Sequence, residues 1–347
     1  MMRTVDPIND PAWRALVATP RGSVFGSPPW LAAISDTYGF EISANLIFDD
    51  TGAPRAGLAF SQIDDFLGRR QLSVPFCDYI DPVVDDDDDQ WRELVDPLLA
   101  LDLPLQLRVL DADAPRRDPR FVPVEEMAWH CTRLDRDEDD LFAALHNQSR
   151  QNIRAARRHG VSVRFGSDLE DVRAFHDLHR NTRKHKYQLL AQPVSFFENI
   201  WKHFAPDDSI VVGLAEHQGD VIAGSLYLTW NGVWYYKFSA SILERSVVRP
   251  NELLAWESML LGKQRGCTTY NWGVSDLDQP GLVAYKRKFA TEERRVSVLR
   301  HTPAGYSNRV AAEALPVLGE LTKLLTRDDV PDDVTQRAGE ILYRYFT

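Results

Sequence analysis

The sequence predicts an α/β chain with α+β character, built as two domains that each set a mixed twisted sheet against flanking helices. Three observations lead there. At 347 residues the chain is too long for one ordinary hydrophobic core. Its first 130 residues mix strand-like and helix-like runs. From 161 to 300 the runs take the order β, α, α, β, β, β, α, β, α, β.

Composition narrows the class. Hydrophobic residues make up 44% and charged residues 26%, the range of a soluble globular protein. No run approaches the roughly 18 apolar residues of a membrane helix. The opening MMRTVDPIND has no basic segment leading into an apolar one, which argues against a signal peptide and export. Cys77, Cys131 and Cys267 are odd in number and far apart, and no C-x-x-C occurs. A disulfide framework or a metal site is therefore not expected, and the expected compartment is the reducing cytoplasm. A net charge of −11 argues against a protein that coats DNA or other nucleic acid broadly. A local basic groove remains open, because charge is uneven. Acidic residues crowd 81–89 and 135–140; basic residues crowd 150–164, 180–186 and 286–300.

Local signals place each element in turn. Trp13–Leu16 and Trp30–Tyr38 read as short helices, the second announced by Ser27-Pro28-Pro29. Ile42–Phe48, Ala56–Gln62 and Gln71–Val74 read as strands, the first two joined by a turn at DDTGAPR. A helix over Gln90–Leu101 and a strand over Leu105–Leu110 complete this part. Leu141, Phe142, Leu145, Ile153 and Ala156 recur at near-helical spacing, with a gap at 148–152, and Gly160 stops the run. Val161–Phe165 is a strand. Asp168 opens a helix to Lys186, and Pro193 opens another to Phe204. Ile210–Glu216, Val221–Trp230 and Val233–Ala240 are hairpin strands. Pro250 begins a helix ending at Gly266. Thr268–Val274 is a strand, Gly281–Phe289 a short helix or irregular, and Arg295–Arg300 a last strand. Tyr306–Leu325 and Asp333–Phe346 are helices.

The segment from Gly224 to Ala290 carries a more specific signal. A small-residue strand is followed by an aromatic strand ending in Ser239-Ala240-Ser241, then by Pro250-Asn251-Glu252-Leu253-Leu254-Ala255-Trp256-Glu257. Tyr270-Asn271-Trp272-Gly273 and Tyr285-Lys286-Arg287-Lys288-Phe289-Ala290 come after it. Order, spacing and residue types together resemble the Fem-like aminoacyltransferases and related GNAT-type acyltransferases. SPPWLAAISDTYGF, LSVPFCDYIDPVV and NQSRQNIRAARRHGVSV resemble further family segments, so the likeness covers about 25–300. Ile80-Asp81 stands where the family has two glycines, and Asn271 where it has Asp. The resemblance implies two tandem GNAT-like lobes, 1–135 on the acceptor side and 136–303 on the acyl-donor side. It also implies that the C-terminal helices of 304–347 pack back on the first lobe.

Acyl transfer to an amine needs a splayed pair of strands, a route for the amine proton and a donor for the developing oxyanion. Acyl-CoA enzymes of this type usually add a glycine-rich loop whose N–H groups bind pyrophosphate at a helix N-terminus. Here that place holds Val248-Arg249-Pro250-Asn251-Glu252. Proline removes one donor and Glu252 adds a negative charge where the phosphate would sit. The expected donor is therefore aminoacyl-tRNA as a co-substrate, with no bound cofactor; acetyl-CoA or another acyl-CoA is the alternative.

Lys286 occupies the family's lysine position and is the first catalytic candidate, to polarise the acyl carbonyl or hold an acceptor phosphate. Asp78 is the candidate for the ammonium proton, with Tyr79 beside it toward the acceptor, and Asp276 is the alternative base. Tyr236, Lys237, Asn271 and Arg249 are candidate substrate-binding residues. Arg150, Arg154, Arg157 and Arg158 share one helical face and are candidates for the tRNA acceptor stem; a solvated face balanced by DRDEDD is the other reading. Arg180, Arg183, Lys184 and Lys186 form a second basic cluster. His176 and His179 form H-x-x-H without the further ligands a metal needs. The expected activity is amide formation on an amine of a peptidoglycan precursor or a peptide-like metabolite. The alternatives are acyl-CoA-dependent acylation of an amino sugar or other small amine, and a non-catalytic binding module.

Overall fold

The structure, a computed structural model, describes residues 1–85 and 87–347. Asp86, inside the acidic tract, lies outside the described residues. The chain divides into two compact units. Unit 1 comprises 1–128, 294–317 and Thr347; unit 2 comprises 129–293 and 318–346.

Unit 1 begins with β1 (Met2–Val5), α1 (Pro11–Val17) and α2 (Pro28–Tyr38). Asp10 caps α1 by accepting from the N–H groups of Ala12 and Trp13, with Pro11 opening the helix. Ser27 does the same for α2, and Gly39, at φ +69°, ends it. β2 (Glu41–Phe48) and β3 (Pro54–Ile63) form an antiparallel pair, with Asp49 Oδ1 accepting from the Thr51 and Ala53 N–H groups in the turn. β4 (Arg70–Leu72) adds antiparallel to β3. α3 (Asp88–Leu99) then crosses over to β5 (Leu105–Val109), which pairs in parallel with β4. The buried stripe Trp91, Leu94, Val95, Leu98 of α3 packs with Leu58, Leu105 and Leu107. A short α4 (Ala114–Arg117) comes next.

β6 (Val122–Arg133) leads into unit 2, where α5 (Glu138–Ala144), α6 (Asn147–Arg158), β7 (Ser162–Gly166) and α7 (Leu169–Asn181) succeed one another. α7 passes into a π-helical turn at Thr182–Lys186 before α8 (Val194–Phe204). β8 (Ile210–His217), β9 (Asp220–Trp230) and β10 (Val233–Ser241) form two consecutive hairpins. Their turns, Gln218-Gly219 and Asn231-Gly232, have positive φ at both central residues, which suits the right-handed twist of the strands. α9 (Pro250–Gln264) crosses to β11 (Thr269–Asp276), parallel to β10. The strand order in unit 2 is β7-β8-β9-β10-β11-β6. Trp256 and Met259 of α9 cover one sheet face with Tyr227, Trp234, Tyr270 and Trp272. Phe175, Phe196, Phe197 and Phe238 cluster on the other, toward α7 and α8. α10 (Pro280–Arg287), β12 (Glu292–His301), α11 (Arg309–Leu325) and α12 (Asp332–Leu342) complete the chain.

Two expectations are corrected. The strand expected at 295–300 falls within the second lobe's range, yet Ser297–His301 of β12 pairs antiparallel with Leu105–Val109 of β5, in unit 1. A parallel crossover leaves β5 with an open edge, and β12 supplies its backbone partners. The C-terminal helices are expected on the first lobe. Residues 318–346 instead belong to unit 2, because Lys184 donates to Val330 O and Asp332, both at 2.6 Å, and Arg180 donates to Gln336 at 2.6 Å. Two strands escape a reading of the sequence: β1, only four residues long, and β6, whose first half is exposed and lacks alternation.

Candidate active site

Parallel pairing between β10 and β11 covers three registers and ends at Tyr235–Asn271. Two local devices end it. β10 carries one extra residue, Lys237, between the Tyr236–Tyr227 and Phe238–Leu226 pairs. In β11 the Asn271 side chain accepts the Gly273 N–H at 2.8 Å, and Gly273 takes φ +67°. Beyond this point a cavity of about 650 Å³ opens in unit 2. Tyr236 and Ser239–Ser241 of β10 wall it, with Asn251 of α9, Leu282 and Tyr285 of α10, and Lys186 of the π-helical turn. Tyr285 donates its hydroxyl to Asn251 O at 3.2 Å, tying α10 to α9. Burial lifts the Tyr236 and Tyr285 hydroxyls above the usual phenol range, so both stay neutral donors.

Lys286 is not a surface lysine. It is 4% exposed, and its Nζ donates to Val274 O at 2.7 Å, on the part of β11 past the last β10 register. Next to it in sequence, Arg287 grips Glu293 with two bonds of 2.7 and 2.9 Å, holding that carboxyl at about 2. Fully buried His130 lies 3.1 Å from the same carboxylate, and burial keeps its imidazole below its ordinary range.

The other candidates are spread over both units. Tyr236 lines the cavity. Asn271 is 2% exposed and shapes the strand break from within. Lys237 is the bulge residue, its ammonium 5.3 Å from the Phe238 ring centroid. Asp276 ends β11 and accepts from Gln279 Nε2 at 3.0 Å; Gln279 lines the cavity. Arg249 is exposed in a left-handed conformation just ahead of α9. Asp78 and Tyr79 lie in unit 1; Asp78 is half-buried, and Tyr79 is buried against Phe25.

The arginine stripe does fall along α6, but its members are engaged locally. Arg150 donates to Ala143 O at 2.5 Å, Arg154 sits 5.3 Å from the Phe142 ring centroid, and Arg157 pairs with Glu257 at 2.8 Å. Arg158 is exposed. In the second basic cluster Lys184 and Arg180 turn toward 330–336, Arg183 bonds Leu190 O, and Lys186 reaches the cavity. His176 and His179 are buried beside Phe197, with Nε2 atoms 3.1 Å from Gln192 O and 2.8 Å from Gln192 Oε1. Among the described residues no cluster of His, Cys, Asp or Glu is placed to hold a metal, and no helix is long and apolar enough to cross a membrane. The sequence alone assigns no role to Tyr187, Leu189, Gln279 or Gly281, all of which line the cavity. Tyr187, directly after a basic run, is the one available signal.

The N-terminus of α9, where a pyrophosphate would sit, is committed to protein contacts. Pro250 is its first residue. Asn251 Nδ2 donates to Ser241 Oγ at 3.2 Å, and Glu252 Oε1 accepts from Asn152 Nδ2 at 2.7 Å.

Comparison with known proteins places this geometry. Residues 143–287 match the family described as "Acetyltransferase (GNAT) domain". The lipid II:glycine glycyltransferases of two Staphylococcus epidermidis strains are 21% identical over 46% of this chain and 54% of their own length. The chain thus spans about half the length of these curated relatives. The crystal structure of FemX superimposes with a TM-score of 0.66 at 15% identity, covering 92% of this chain and 100% of FemX. Residues 143–287 thus resemble a GNAT-type acyltransferase domain, and the chain shares the FemX fold. A tandem GNAT protein from the clavulanic acid biosynthesis pathway shares the fold as well, at TM-score 0.53 and 13% identity, over 88% of this chain and 100% of that one.

Proposed function

We propose that this chain moves an aminoacyl group from aminoacyl-tRNA to an amine of a peptidoglycan precursor, in the cytoplasm. A peptide-like metabolite is the other acceptor of the same chemistry. The observation that carries the donor is the α9 N-terminus. A nucleotide pyrophosphate there would lose one N–H to Pro250 and meet the Glu252 carboxylate. The lipid II:glycine glycyltransferase relatives support the acceptor class.

In this reading the acyl ester enters the space past the last β10–β11 register. The acceptor amine attacks the carbonyl carbon. The C–N bond forms, the ester C–O bond breaks, and the tRNA 3′-oxygen leaves and takes up a proton. The ester is already activated, so positioning and proton removal carry most of the rate. Lys286 supplies a fixed positive charge for the developing oxyanion, and Val274 O sets its position. Asp276, bonded behind the cavity residue Gln279 and outside the cavity lining, is a base for the amine proton. Asp78 and Tyr79 serve acceptor binding on unit 1.

The test is product formation with mixed charged tRNA and candidate amines, with and without RNase. RNase-sensitive amide formation is expected. RNase-insensitive product, or thermal stabilisation by CoA alone, overturns the tRNA donor in favour of an acyl-CoA. Absence of product with either donor would leave a binding module.

A further inference from the structure

The cavity past the β10–β11 break is built for bulk. Its volume of about 650 Å³ falls in the roughly 300–1,000 Å³ range of pockets that enclose sizeable ligands. β10 contributes only small side chains at Ser239, Ala240 and Ser241, and α10 contributes Gly281. A Cβ at Gly281 would meet nothing within 4 Å. The larger lining side chains are Tyr187, Leu189, Tyr236, Leu282 and Tyr285. Tyr187 and Leu189 are 48% and 41% exposed, apolar surface that an occupant would cover.

The charge pattern is as selective as the size. Among the described residues lining the cavity, Lys186 is the one with a full charge, and no carboxylate is present. Glu252, close by on α9, is bonded to Asn152 and is not part of the lining. A cationic side chain would be desolvated beside Lys186 with no acid to pair with. A glycyl group would leave the apolar lining against water. A ring or branched chain would bury it.

We propose that this cavity selects an uncharged acyl group of aromatic or branched-apolar bulk, and discriminates against glycyl, lysyl and arginyl groups. The proposal rests on the aminoacyl-transfer reading for its carrier. A terminal adenosine is common to every aminoacyl-tRNA, so differences between donors report the acyl group alone.

Non-hydrolysable 3′-aminoacylamido-3′-deoxyadenosines bearing phenylalanyl, leucyl, glycyl or lysyl groups are titrated calorimetrically into the full chain. The phenylalanyl and leucyl analogues are expected to bind at least ~10-fold more tightly than the other two. Equal or tighter binding of the glycyl or lysyl analogue overturns the proposal. Gly281→Leu fills open space and supplies the control. It is expected to weaken the phenylalanyl analogue by roughly 10-fold while leaving the glycyl analogue unchanged. Equal effects on both would show that the acyl group sits elsewhere. Acetyl-CoA and phenylacetyl-CoA form the parallel arm. If no adenosine analogue binds but phenylacetyl-CoA binds more tightly than acetyl-CoA, the tRNA reading falls and the selection for bulk stands. Preference for acetyl-CoA, or binding of none of these probes, removes the selection itself.

Discussion

The two units contain the same central device and finish it in opposite ways. Each has a crossover helix returning to a parallel strand pair, β4 with β5 and β10 with β11, and each pair runs for only a few registers. In unit 2 the pair then opens into a cavity. In unit 1 the chain after β4 closes the gap. Ser73 N donates to Gln106 O at 2.8 Å, and Ile80 N to Arg108 O at 2.9 Å. Asp81 Oδ1 then accepts the N–H groups of Leu110, Asp111 and Ala112 at 2.9, 3.0 and 3.0 Å. Asp81 stands where the family has a glycine, so the closure is written into the departure from the pattern. The frame is thus indifferent to chemistry; the residues beyond the paired registers decide whether a strand pair is a site or a seam.

The contrast extends to pH, where the largest effect is expected. Burial lowers the His179 imidazole in unit 2 from 6.5 to about 3. The unfolded ring binds a proton that the folded one refuses. Its contribution is therefore whole above pH 6.5 and is lost as pH falls toward 3, at up to roughly 1.4 kcal/mol per pH unit. Burial raises the Asp81 carboxyl in unit 1 from 3.8 to about 6, against the pull of its three N–H bonds. Its contribution is whole below 3.8 and is lost as pH rises through 6. Urea unfolding between pH 3 and 8 should show His179→Phe flattening the acid limb and Asp81→Asn flattening the opposing one. Parallel curves for wild type and both variants would contradict this.

Asp81→Ala strips the closure of its acceptor and should cost about 3 kcal/mol by the same method, because three N–H groups lose their partner. An unchanged midpoint would mean that the seam needs no clamp. Lys286→Met keeps length and apolar stem while removing the charge. Turnover of the folded enzyme should fall at least ~10-fold, worth about 1.4 kcal/mol in the barrier, beside a loss of about 1 kcal/mol in stability from the bond to Val274 O. Normal turnover would take Lys286 out of the chemistry. Asn271→Ala frees the Gly273 N–H and should cost about 1 kcal/mol, read as a shift in urea midpoint. The smallest stability effect belongs to Arg154→Glu with Arg157→Glu, under ~1 kcal/mol for exposed side chains. The same pair should still weaken tRNA binding, more so at low salt; binding that is insensitive to both leaves the stripe a solvated face.

The features legible in the sequence were mostly local. Both unit 2 hairpins, the Ser27-Pro28 helix start and the Pro250 helix show their own signals. β12 hid its partner because β5 lies far back in the chain, and no local pattern encodes that pairing. Lys286 stands in a Lys-Arg-Lys run that charge alone reads as solvated; the resemblance singles it out, and the fold turns it inward, onto the β11 backbone. Lys184 deceived in the same way, since its acidic partner, Asp332, is 148 residues away. Tyr236, a candidate through the family resemblance, lines the cavity. The π-helical wall escapes a reading of the sequence, because a π turn has no periodicity of its own.

The late arrival of β12 bears on how the protein is made. Gln106 on β5 bonds Arg300, 194 residues further along. A ribosome therefore releases the whole 129–293 part of unit 2 before the strand that completes unit 1 exists. Through that interval β5 presents an uncovered backbone edge, the kind of surface that recruits strands from other chains. Synthesis halted just before β12 would yield a second unit with its strand order complete but without 318–346, and a first unit exposed to aggregation.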